Sequence, residues 1–125
     1  MGEKPTRGAI VLAALPGEAH TLGLHMCAIV LSVLGYRVIF LGGNCPLMDM
    51  QRAIQETSAR ALGVSVALSY PVEQAKYELG WLRGHIKVPI LIGGSGGSLA
   101  TEKRDLFFES LENLRIWAVN FRDAA

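Results

Sequence analysis

Uninterrupted apolar runs of strand length alternate along this chain with segments whose apolar residues recur at helical spacing. That alternation leaves few folds open. Gly8–Leu15 (GAIVLAAL) is the first run, continuous as expected where both faces of a parallel strand are covered, and Pro16-Gly17 ends it. His20–Leu34 then places Leu22, Met26, Ile29, Val30 and Val33 at the spacing of an amphipathic helix, stopped by Gly35. Tyr36–Leu41 (YRVIFL) is a second strand. Asn44 or Cys45 can cap the next helix, with Pro46 at its first position and Leu47, Met50 and Ile54 on one face. Leu62–Ser69 (LGVSVALS) reads as a third strand, Pro71 opens a helix to about Arg83, and Val88–Ile92 (VPILI) is a fourth strand running into Gly93-Gly94-Ser95-Gly96-Gly97. A fourth helix is expected from about Leu99 to Leu111 and a fifth strand at Arg115–Val119 (RIWAV). Strict alternation with short loops predicts a parallel five-stranded sheet with helices on both faces, a flavodoxin-like (Rossmann-like) doubly wound α/β domain over residues 1–125.

In this reading the last helix is missing, because Asn120–Ala125 is too short to form one. Part of one sheet face then lacks its cover, which predicts a homo-oligomer or a separate partner protein. With 50% hydrophobic residues and net charge +1 the chain is neither disordered nor a basic nucleic-acid binder. Cys27 and Cys45 are too few and too scattered for a disulfide framework or a zinc site, so a reducing, cytoplasmic setting is expected. The longest apolar stretch, Leu22–Gly35, falls short of the roughly 20 residues of a membrane span. Lys4 and Arg7 ahead of Ala9–Leu15 resemble a short signal peptide, but a buried first strand accounts better for a run that continues directly into a turn and a helix.

Ligands of doubly wound folds bind outside the carboxyl ends of the strands. Several tenants are excluded there. The first turn, Pro16-Gly17-Glu18-Ala19-His20, lacks the G-x-G-x-x-G of a dinucleotide site, and no Gly-Lys-Ser/Thr of a P-loop occurs. The Ser/Thr-rich phosphate loop of a flavin mononucleotide site is absent, and Glu18 stands alone where a phospho-receiver needs clustered Asp residues.

What remains is a histidine at the mouth of the sheet. Glu18, two residues before His20, can accept a hydrogen bond from the ring Nδ1–H and leave Nε2 free for a metal. Gly23 lies on the same helix face without a side chain, so a broad, flat ligand can approach closely. His25 points about 140° away round the helix and is no second ligand. Ser65 and Ser69 fall on one side of the third strand by its period of two, Ala67 is small, and Gly93 and Gly94 have no side chains. Together they form a trench that admits a long, thin, partly polar group beneath the histidine. Cys27, Cys45, His25 and His85 lack metal-ligand spacing, and Trp81, Trp117, Phe107 and Phe108 sit in apolar patterns typical of a core. Glu102-Lys103-Arg104-Asp105 reads as a solvated helix face, and Tyr70-Pro71 as a helix start near enough to touch a ligand's edge.

Glu18-x-His20-x-x-Gly23, then Ser65-Val66-Ala67, then Gly93-Gly94 resembles the signature of the cobalamin (vitamin B12)-binding domain: Asp-x-His-x-x-Gly, Ser-x-Leu about forty residues on and Gly-Gly some twenty-five residues later, three motifs on three strands in order. The resemblance covers essentially the whole chain. It implies base-off/His-on binding of adenosylcobalamin or methylcobalamin. His20 replaces the cofactor's own base as lower axial cobalt ligand and is held by Glu18. Ser65 bonds the buried base, Gly93 and Gly94 make room for the tail, and the corrin lies across Gly23. Two residues depart from the pattern. Glu18 stands where Asp is commoner, and Ala67 replaces Leu. In detail the motifs look most like the B12-binding halves of light-sensing transcription regulators.

The resemblance implies a binding module with no catalysis of its own, a sensory or carrier unit whose upper corrin face a partner must cover, without direct contact to nucleic acid or membrane. Two other classes stand beside it. One is the small cobalamin-carrying subunit of an adenosylcobalamin-dependent mutase or corrinoid methyltransferase. The other is a vestigial domain that works through protein contacts alone.

Overall fold

β1 (Ala9–Ala14) lies inside the sheet and is buried along its whole length. The structure, a computed structural model, describes residues 7–97, 100–102, 105–108 and 110–121. After β1 come α1 (Leu22–Val33), β2 (Arg37–Gly42), α2 (Leu47–Thr57), β3 (Ala61–Ser65), α3 (Val72–His85), β4 (Ile90–Gly93), β5 (Leu106–Phe107) and α4 (Leu111–Asn120). The sheet runs β2-β1-β3-β4-β5 with every neighbouring pair parallel. This is the expected flavodoxin-like order, and its direction of winding reverses at β1 and β3.

Alternation along β1 divides the core into two layers. Val11 and Ala13 pack with Met50, Ile54, Leu79 and Leu82 of α2 and α3. Ile10, Leu12 and Ala14 pack on the other face with Leu24 and Leu31 of α1 and Leu114 and Ala118 of α4. Both faces of the strand are therefore apolar, which is why its sequence shows no polar alternation.

The C-terminal third departs from the sequence-based expectation. The helix expected from about Leu99 to Leu111 falls partly outside the described residues, which lack 98, 99, 103, 104 and 109; of the rest, Ala100–Glu102 form no regular element and Leu106–Phe107 are extended. The fifth strand is Leu106–Phe107, and the segment expected as a strand, Arg115–Val119, is the middle of helix α4. The cause is local. The Ser110 hydroxyl caps the helix by accepting from the Asn113 N–H at 3.2 Å, and Leu111, Leu114 and Ala118 then recur with helical period on the sheet side. A strand of two residues leaves too little pattern to outweigh the four consecutive apolar residues Ile116–Val119. The final helix is therefore present. It shares its sheet face with α1 and is tied to the start of β2 by the Tyr36 hydroxyl, which donates to Ala118 O at 2.5 Å. With α4 in place, the sheet face expected to be bare is covered from within the chain.

Two smaller corrections bear on the ligand end. β3 ends at Ser65 rather than Ser69, because the chain turns there, with Tyr70 N–H donating to Ala67 O at 3.0 Å. α1 starts at Leu22, so His20 precedes the helix, whose N-cap is Thr21. Asn44 caps no helix either. It adopts φ 48° and its Oδ1 accepts the Gly17 N–H at 2.6 Å, while Pro46 occupies the N-cap of α2.

Candidate functional site

The turn that follows β1 is shaped by Gly17 at φ 87°, a left-handed conformation that favours glycine, and by Glu18 N–H donating to Leu15 O at 2.9 Å. The turn is pinned to the next crossover as well, through Asn44 N–H donating to Glu18 O at 2.7 Å. The result is a rigid loop that sends the Glu18 side chain inward, where the residue is only 4% exposed.

Glu18 is buried but fully engaged. Its Oε1 accepts the His20 backbone N–H at 2.9 Å and lies 2.8 Å from His20 Nδ1, while Oε2 accepts the Ala67 N–H at 3.1 Å. Burial works to raise the carboxyl pKa. The His20 backbone and ring and the Ala67 amide together outweigh it and hold the group below the ordinary glutamate range. An ionised Glu18 fixes the tautomer of His20 by taking the Nδ1 proton into its hydrogen bond, which leaves Nε2 as the ring's lone-pair donor. The His20 side chain is 81% exposed, so that donor is accessible.

A cavity of about 220 Å³ opens between α1 and α4, floored by β1, β3 and β4. Gly23, Leu24, Cys27 and Leu31 of α1 form one wall and Leu111 and Leu114 of α4 the other. Ser65, Gly93, Gly94 and Ser110 also line it. The interior is apolar, with a few polar atoms from serines and backbone. That combination suits an aromatic base carried on a polar tail.

The structure thus brings Gly23, Ser65, Gly93 and Gly94 to one cleft, which Ala67 and Ser69 do not line. The two glycines serve different ends. A Cβ on Gly93 would have only Phe108 O within 4 Å, at 4.0 Å, so its absence opens space. A Cβ on Gly94 would meet Val66 O at 2.3 Å, and Gly94 adopts φ 91°, so this glycine serves close backbone packing. Gly96, outside the motif, packs in the same way, its missing Cβ falling 2.2 Å from Ala67 O. Ala67 is half-buried and enters the site through its backbone amide. Ser69 lies in an exposed turn, apart from the residues lining the cleft.

Other candidates resolve simply. His25 Nδ1 lies 2.9 Å from Thr21 O and its ring packs on Phe40, and His85 stacks on Trp81. Burial raises both thiols, Cys45 to about 11, so neither is a ready thiolate ligand. Asp105 is buried, not solvated, and pairs with the Arg83 guanidinium. Tyr70 is buried too and cannot offer a ligand its ring edge. Sequence reasoning missed Cys27 and Leu31 as cleft residues and Asn44 as a brace of the turn; their signal is tertiary.

Residues 8–108 match the family model of the B12 binding domain. The chain belongs to the B12-binding domain family. This B12-binding domain is 32% identical over 108 residues to methionine synthase of Mycobacterium leprae, which covers 84% of this chain but 9% of that protein. It is 34% identical over 87 residues to the HTH-type transcriptional repressor CarH of Myxococcus xanthus, with coverage of 68% and 29%. Among solved structures it is similar in fold to the methanol:cobalamin methyltransferase complex MtaBC from Methanosarcina barkeri (TM-score 0.75, 21% identity), covering 94% of this chain and 47% of that one. The chain spans less than half the length of each.

Cobalamin is the cofactor of such a domain, and the residues present fit it. Among the described residues no group of three or more His, Cys, Asp or Glu side chains could hold a metal ion. No helix among the described residues is long and apolar enough to cross a membrane.

Proposed function

We propose that this domain binds cobalamin base-off/His-on, with His20 Nε2 as the lower axial ligand and the displaced base and tail in the α1–α4 cleft. The observation that carries the reading is the 2.8 Å contact of His20 Nδ1 with a buried, ionised Glu18, in the turn that leads into α1, whose Gly23 lines that cleft. Glu18 orients the ring and fixes the tautomer that leaves Nε2 free. Ser65 bonds the base, Gly93 leaves the tail its path, and Gly23, with no atom within 4 Å of its missing Cβ, lets the corrin approach α1. When bound, the cofactor supplies cobalt–alkyl chemistry; the chain itself binds and orients, without catalysis of its own. The free thiols fit a cytoplasmic setting.

The module works as a sensor or carrier beside a partner. Leu22, Met26, Ile29 and Val33 stand on the outward face of α1, 43–79% exposed, on a helix with no charged residue, which favours a protein contact there, with a second copy or a partner chain. Similarity to methionine synthase and to a methyltransferase complex favours the carrier role, and similarity to CarH the sensory role.

The test is an absorbance titration with methylcobalamin and adenosylcobalamin in the dark, beside His20→Ala. A saturable base-off/His-on spectrum lost in the variant supports the reading; the same spectrum in both sinks it. Native mass should rise by roughly 1.3–1.6 kDa per chain on binding, and the same measurement on the Ile29→Glu variant checks the apolar face of α1.

A further inference from the structure

The loop that carries Glu18 and His20 is gripped at a second point. Tyr70 is 8% exposed, and its hydroxyl lies 2.7 Å from Pro16 O and 2.5 Å from Glu78 Oε1. Its single proton is thus shared between the β1–α1 turn and α3. Gln74 Nε2, one helical turn before Glu78, donates to the same phenolic oxygen at 3.2 Å. Glu78 is itself buried at 6%. Burial, then the neighbouring Glu78, pushes the Tyr70 phenol upwards, so it stays a donor through the physiological range.

One short segment therefore holds the turn by two arms. The Ala67 N–H takes Glu18 Oε2 and the Tyr70 hydroxyl takes Pro16 O. Between the two gripped residues lies Gly17, at φ 87° and with nothing packed where a Cβ would stand, so hydrogen bonds rather than side-chain packing hold the turn here. Tyr70 N–H bonded to Ala67 O at 3.0 Å keeps the two arms in fixed relation. Buried polar clusters of this kind hold one geometry where apolar contact would allow several.

We propose that Tyr70, anchored on α3 by Glu78, is a positioning residue for His20: it fixes the Pro16–Glu18 turn and hence the direction in which the ring presents Nε2. The proposal rests on the His-on reading for its purpose, but its geometry is testable without cofactor.

The experiment compares Tyr70→Phe and Glu78→Gln with the unaltered chain, using Glu18→Gln as the reference for a broken pair. In cofactor-free protein, the ring signals of His20 in a proton–carbon NMR spectrum should shift in Tyr70→Phe towards those of Glu18→Gln. Glu78→Gln should stay near the unaltered chain, because an amide can donate to the phenolic oxygen and leave its proton for Pro16. With methylcobalamin bound, the ratio of His-on to His-off absorbance in Tyr70→Phe should fall about fivefold, as for one ordinary hydrogen bond, while total binding persists. His20 signals in a folded Tyr70→Phe that coincide with those of the unaltered chain would overturn the proposal. If Tyr70→Phe does not fold, Glu78→Leu, which removes the anchor from the other end, is read in the same way. A His20→Ala variant whose methylcobalamin spectrum is unchanged would instead refute the His-on reading, and the cofactor-free spectra would still judge the clasp.

Discussion

Glu18 faces His20 across a single intervening residue, with Oε1 2.8 Å from Nδ1, and the same carboxylate reaches the Ala67 amide of the neighbouring crossover at 3.1 Å. The extra methylene relative to the commoner Asp gives the carboxylate the reach to span two loops. Its three N–H partners leave no place for a donor on the side chain. Glu18→Gln can accept on one oxygen only and turns its amide N–H₂ towards another N–H. We expect cobalamin affinity of Glu18→Gln to fall by about tenfold or more, the usual cost of removing a group that orients a metal ligand. Equal dissociation constants from an absorbance titration would refute the orienting role.

The same carboxylate predicts a pH response of the cofactor-free domain. Glu18 is held below its ordinary value of 4.5, against the opposing effect of burial, by the His20 and Ala67 hydrogen bonds. A folded-state value below the unfolded one contributes stability that is present above 4.5 and is lost as pH falls through the lowered value. The thermal midpoint of the unaltered chain should therefore exceed that of Glu18→Gln at pH 6–7, and the gap should close only below about pH 4.5. A gap that stays constant down to pH 3 would show that the ionised carboxylate contributes nothing.

Much of this site was legible because it is written locally. Glu18 and His20 sit two residues apart, so one turn suffices to join them, and the buried runs Ala9–Ala14 and Ile90–Gly93 identify parallel strands by their lack of alternation. The failures are equally physical. Arg115–Val119 has the apolar density of a strand, and only Ser110 as cap and the period of Leu111, Leu114 and Ala118 mark it as helix. The roles of Gly94 and Gly96 depend on how closely Val66 and Ala67 approach in space, and spacing along the chain carries no record of that.

The two motif glycines should respond differently to substitution. Gly93→Val places methyls in the open cleft and should weaken binding of complete cobalamin much more than binding of cobinamide, which lacks the base and tail, with little change in folding. Gly94→Ala forces a Cβ into Val66 O at a left-handed φ and should cost about 2–4 kcal/mol of stability. Denaturant midpoints and paired titrations separate them. A Gly94→Ala variant as stable as the unaltered chain would show that the 93–97 turn relaxes freely.

Cys27 lines the cleft on α1 and reports on it directly. Burial raises its thiol pKa against a weaker opposing hydrogen bond, so it is protonated at neutral pH and reacts slowly with iodoacetamide, faster as pH rises. Cys45, pushed up to about 11 by burial and then by Asp49, should be slower still. A base and tail seated between α1 and α4 cover Cys27 but not Cys45. Saturating methylcobalamin should therefore suppress alkylation of Cys27 at pH 8.5 at least tenfold and leave Cys45 unchanged, as read by peptide mass. Cobinamide should protect far less. Equal protection by both corrinoids would place the tail outside the α1–α4 cleft, and no protection by either would remove that cleft from the binding site altogether.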